Sequence, residues 1–144
     1  LSAGAASFRL RCAGVLAVVT PLGFATKLYT GPGAAWIGSG AGGLLYVVFW
    51  IFVVLALFPR LSPGRIALAV FAATSALELL QLWQPTFLAP TRASFLGHAL
   101  LGSTFAWSDF PYYAAGALAA WALARRLARQ DPGGSSSHGV GPTR

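Results

Sequence analysis

Glu78 is the first residue for which chemistry can be argued. It is the only acidic side chain within an apolar run, the stretch 65–83 (RIALAVFAATSALELLQLW). A charge at the centre of a bilayer costs from about 2.5 kcal/mol upward, so such a residue faces a bundle interior, pairs with another group or serves a function. Thr74, Glu78 and Gln81 recur at i, i+4 and i+7, which places them on one face of a helix. Further along lie Arg92, His98, Ser108 and Asp109, and with Glu78 and Gln81 these four make up the candidate polar site. Arg92 is the expected partner of Glu78, because a guanidinium binds a carboxylate bidentately and keeps its charge. The plainer alternative is a buried structural pair, with Asp109 doing no more than capping a helix. A single histidine such as His98 more often packs at an interface than acts as a base. One histidine and two separated acids lack a local ligand motif of the H-E-x-x-H kind, so no metal or cofactor is expected.

The elements that must position these residues follow from composition. The chain has 144 residues, 56% of them hydrophobic and 9% charged, against about 25% charged in soluble domains. This describes one all-α, polytopic membrane domain. The net charge of +7 does not point to nucleic acid, since the arginines flank apolar runs and form no basic stripe with exposed aromatics. Cys12 is the sole cysteine, which excludes an intrachain disulfide and suits a small core residue.

Four apolar stretches read as spans, at about 10–27, 43–58, 66–83 and 109–127, within a transmembrane domain 1–129. A Gly/Ser-rich tail, 130–144, is expected to be disordered and cytoplasmic. Pro21 predicts a kink near Thr20 in the first span. A rival reading of that span is a secretory signal cleaved near Ala25, at the small-x-small sequence Gly23-Phe24-Ala25. Residues 29–43 are glycine-rich and read as a flexible loop, with Tyr29 and Trp36 suited to the headgroup level. Gly38, Gly40 and Gly43 spell G-x-G-x-x-G, but the strand before it and the acidic residue about 20 positions later are both missing, so it is not a dinucleotide site. The second span then begins at 43 and is short and upright. Residues 59–65, with two prolines, a glycine and two arginines, form a tight turn.

Residues 86–107 are too apolar for an ordinary loop and too broken by Pro90, Gly97 and Gly102 for a span. They read as a short interfacial or re-entrant helix, which needs cover from protein or water. Ser108 is the expected N-cap of the last span, with Asp109 in its first turn complementing the helix dipole. Small residues at 114–120 let that helix approach its neighbours closely. Under four spans, Arg9, Arg11, Arg60, Arg65, Arg125, Arg126, Arg129 and Arg144 share one side, against Lys27 and Arg92 on the other. The bias puts both termini in the cytoplasm of a bacterial inner membrane and turns the polar residues outward.

Glu78-x-x-Gln81, Arg92, and Asp109 followed by Gly116 together resemble the VanZ-like integral membrane proteins. Pro21-Leu22-Gly23, Phe58-Pro59-Arg60-Leu61-Ser62-Pro63 and Trp107-Ser108-Asp109 resemble more closely a small uncharacterised bacterial family of membrane proteins of unknown function. The resemblance covers about 9–127. It departs at Tyr113, where VanZ-like proteins usually carry Asn. The resemblance implies a fold and a location rather than an activity.

Three functions fit these residues. The first is a non-enzymatic envelope protein whose outward cleft binds a lipid headgroup or a lipid-linked cell-wall precursor, with Arg92 meeting an anionic group. Its partners are membrane lipids and a cell-wall glycan, not nucleic acid. The second is a membrane-embedded hydrolase or transferase using Glu78 or Asp109 as general base, although no nucleophile motif such as G-x-S-x-G is present. The third, a proton-coupled transporter, needs polar midsections in several spans, and only one has them. Single cysteines placed at Ser39 and Thr91 should label from outside whole cells, and one at Ser62 should not. The reverse pattern would invert the orientation.

Overall fold

The computed structural model is all-helical. It describes residues 3–82 and 106–130, together with 86, 90, 93 and 94. Four long helices appear among them: α1 Ala3–Leu28, α2 Ala34–Leu57, α3 Pro63–Leu82 and α4 Asp109–Arg129. Three contain stretches long and apolar enough to cross a membrane, Gly4–Leu28, Ala34–Leu57 and Pro63–Leu80. In α4, Asp109 opens the helix and Arg125, Arg126 and Arg129 close it, leaving an uncharged run of roughly 22 Å at about 1.5 Å per residue. Leu10, Val18, Leu68 and Leu118 are each more than half exposed. So many large apolar side chains around one small bundle suit contact with lipid rather than water.

The central helix is α2, which packs on α1, α3 and α4, while α3 and α4 also pack on each other. Its Val47, Ile51, Phe52 and Leu55 are completely buried, together with Cys12 of α1 and Ala124 of α4. Cys12 is therefore the small core residue its sequence context suggests.

Both ends of the bundle are fixed by side chains that reach between helices. The last carbonyls of a helix have no partner within it, and α1 supplies two guanidinium groups to meet them. Arg9 Nη2 donates to the Leu57 carbonyl at the end of α2 (3.1 Å). Arg11 donates from Nη1 to the Leu127 carbonyl (2.7 Å) and from Nη2 to that of Gln130 (3.3 Å), at the end of α4. These bonds gather Arg9 and Arg11 with Arg60, Arg65 and the arginines closing α4 at one end of the molecule. At the other end, Lys27 Nζ donates to the Gly38 carbonyl (2.7 Å).

Three local expectations are corrected. The glycine-rich stretch is not a loop over most of its length. Only residues 29–33 connect, with Gly33 at φ +76°, and α2 begins at Ala34 and passes through a π-helical turn, Ile37–Ala41. The second span is therefore 24 residues long rather than short, reaching about 36 Å. Glycine costs a helix about 1 kcal/mol per residue, and here close packing offsets that cost. A Cβ on Gly40 would lie 2.9 Å from the Tyr112 ring, one on Gly43 2.9 Å from the Tyr113 ring, and one on Gly116 2.6 Å from the Leu44 carbonyl. These contacts make α2 and α4 a close parallel pair, as the small residues of α4 lead one to expect. Second, α3 starts at Pro63 rather than 66. Proline is favoured at the first helical position, and Ser62 Oγ accepts from the Arg65 N–H (3.3 Å) as its cap. Third, Ser108 does not cap α4 with its side chain; its hydroxyl donates instead to Asp109 Oδ1 (3.4 Å). Pro21 lies inside α1, which continues past it. The interfacial element at 86–107, apart from the few positions named above, and the tail after 130 lie outside the described residues.

The crossing predicts that Gly116→Leu lowers stability by about 1–3 kcal/mol, the usual cost of overpacking. Ala115→Leu, at an exposed neighbouring position, should be nearly neutral. Thermal unfolding of the two variants in detergent checks this.

Candidate functional site

Glu78 lies in the sixteenth position of α3 and is 3% exposed. Burying a carboxyl group demands hydrogen-bond donors, and the start of α4 supplies them. Tyr113 Oη donates to Glu78 Oε2 (2.8 Å), and the backbone N–H of Ala106 donates to Oε1 (3.1 Å). Each carboxyl oxygen is thus engaged, one by a side chain of α4 and one by the backbone just ahead of it. Tyr113 is itself buried and packs against Gly43 of α2. Three helices therefore meet at this one group.

Its surroundings are aromatic. Phe110 lies between Trp107 and Tyr113, with ring centroids 5.6 and 6.3 Å away. Trp36 Nε1 donates to Tyr112 Oη (2.6 Å), tying the first turn of α2 to α4 beside the site. Trp36 and Trp107 remain largely exposed, as aromatic rings at a headgroup boundary are. Thr74 is buried one turn before Glu78, but its hydroxyl donates to the Val70 carbonyl of its own helix (2.8 Å), a common arrangement for threonine in apolar helices. It fills the polar face without binding the glutamate.

Of the expected site residues, Glu78, Ser108 and Asp109 lie at the same end of the bundle. Asp109 stands in the first turn of α4, partly exposed, with Ser108 as a weak neighbour. Arg92, His98 and the Gln81 side chain lie outside the described residues, and with them the expected pairing of Glu78 to Arg92. Among the described residues no three His, Cys, Asp or Glu side chains gather into a metal-binding group. The group that sequence reasoning missed is Tyr113. It was visible only as a departure from a resembling pattern, yet a buried acid requires a donor, and a tyrosine one turn into the next long helix is a natural source.

Chemically, the arrangement is an anchor. A carboxyl group with both oxygens engaged and almost no exposure ties Ala106, just ahead of α4, and Tyr113 of α4 to α3. It leaves Asp109, not Glu78, as the more accessible acid.

These features define an all-helical chain whose apolar helices fit a multi-pass membrane protein, with a buried glutamate fastening two of them. The chain belongs to a family of proteins of unknown function, DUF2809, whose family model matches residues 33–117. The match takes in α2, α3, the connection between α3 and α4, and α4 as far as Ala117, so every candidate site residue falls within it. No curated protein and no solved structure matches the chain.

Tyr113→Phe should cost about 1–3 kcal/mol, because Oε2 loses its donor while staying buried. In a Glu78→Leu background the same change should cost much less, giving a coupling of about 0.5–3 kcal/mol. Melting of the four proteins in one detergent measures it; equal costs in both backgrounds would mean that the two side chains do not interact. Asp109→Asn should cost under about 1 kcal/mol, the usual worth of a charge at a helix end.

Proposed function

We propose that this is a non-enzymatic protein of the bacterial inner membrane, with four spans and both termini in the cytoplasm. Its outward end binds the anionic headgroup of a lipid or of a lipid-linked cell-wall precursor. The observation that carries this reading is the engagement of both Glu78 oxygens by Tyr113 and Ala106, at the end of the bundle opposite the arginines. Such a group serves as the foundation of a site rather than its reactive part. It fastens Ala106, close after the stretch whose sequence carries Arg92 and His98, and a guanidinium meets phosphate in a fork of paired hydrogen bonds. The exposed Trp36 and Trp107 suit a headgroup boundary. General-base catalysis is less favoured, since a base needs an oxygen within reach of the substrate proton and those of Glu78 are buried and taken.

Native mass spectrometry of the protein purified from its own membranes tests the reading. Wild type should carry a co-purifying anionic lipid or glycan-linked lipid. Arg92→Gln should accumulate normally and lose it. If Arg92→Gln accumulates poorly and the Glu78→Gln/Arg92→Gln double variant recovers, Arg92 is a structural partner of Glu78 and the binding reading fails.

A further inference from the structure

The arginine end carries a second feature, independent of the glutamate site. Between the last turns of α2 and the first half of α3 runs a groove of about 340 Å³, within the range of roughly 300–1,000 Å³ typical of small-molecule sites. Its walls are almost wholly apolar, formed by Val54, Leu61, Ile66, Ala69 and Ala73, with Arg65 the one charged residue of the lining. Arg60 stands in the turn just before α3, and both arginines are exposed. No described carboxylate neutralises them. Of the chain's three acidic residues, Glu78 and Asp109 belong to the opposite end, and Asp131 lies outside the described residues.

We propose that this groove seats one acyl chain of an anionic phospholipid, whose phosphate is held by Arg65 and Arg60. The charge pattern selects the occupant. A zwitterionic lipid would bring its own cation to two unneutralised guanidinium groups, whereas an anionic headgroup supplies the missing counter-charge. Arg65 lines the groove beside its apolar walls, so chain and headgroup are engaged together. Small side chains at Ala69 and Ala73 make the room, and both positions are exposed rather than part of the core. Basic pockets between spanning helices recognise lipid headgroups by this combination of charge and apolar cover.

The test uses the full-length protein in detergent, titrated separately with phosphatidylglycerol and with phosphatidylcholine of identical acyl chains, and read by native mass spectrometry. In Arg92→Gln protein, which lacks the outward guanidinium, one phosphatidylglycerol should still be retained under conditions that strip phosphatidylcholine, and equal retention of the two lipids would overturn the proposal. Arg65→Gln should weaken binding about fivefold, and the Arg60→Gln/Arg65→Gln pair about twenty-five-fold, from about 1 kcal/mol per basic residue. Ala69→Trp, which fills the groove and leaves both arginines in place, should also weaken it, while Arg125→Gln/Arg126→Gln should not. If Ala69→Trp binds like wild type, or the Arg125/Arg126 pair loses as much as Arg60/Arg65, the attraction is general surface charge and the groove is not a lipid seat.

Discussion

The buried carboxyl group of Glu78 is the constraint around which the upper half of this bundle is arranged. In an apolar bundle a glutamate side chain cannot be left without donors, since each unsatisfied polar group in hydrocarbon costs several kcal/mol. It draws Tyr113 from α4 and the Ala106 amide from the chain just before α4 onto the face of α3. Tyr113 in turn must pack close against α2, and that is possible because position 43 is a glycine. One hydrogen-bonding requirement thus sets the register of three helices.

The opposite end follows a different rule. There the orphan carbonyls of α2 and α4 are met by Arg9 and Arg11 of α1, so a helix outside the family-matched region closes the end of α2, which lies within it, and the end of α4, which lies beyond it. The two ends differ in kind: one is tied by a buried acid and tyrosines, the other by guanidinium groups on backbone oxygens. This asymmetry gives the molecule a polarity that a membrane would read, with a strongly basic face and an aromatic, weakly polar one.

The importance of Glu78 was legible in the sequence because a lone acid in an apolar run is costly wherever it points, and Thr74 at i−4 shared its face as the helical period requires. The contact with Tyr113 was not legible. Tyr113 is 35 positions away, and no local spacing encodes a contact of that range. Glycine also misled. Residues 34–43 resemble a flexible linker because glycine is counted as a helix breaker, but that count assumes a backbone able to turn to water. Where water is absent a helix satisfies the backbone, and Gly40 and Gly43 then act as flat seats for Tyr112 and Tyr113 rather than as hinges. Ser108 misled in the opposite sense: it occupies the capping position, yet its hydroxyl turns to Asp109.

The account stands on Glu78 holding the Ala106 amide, and amide hydrogen exchange measures that directly. In ¹⁵N-labelled protein in lipid nanodiscs, the Ala106 N–H should exchange slowly in wild type. In Glu78→Leu it should exchange much faster, while the amides of Val47–Leu55 in the core of α2 keep their protection. Equal exchange at Ala106 in the two proteins, with the core intact in both, would contradict it.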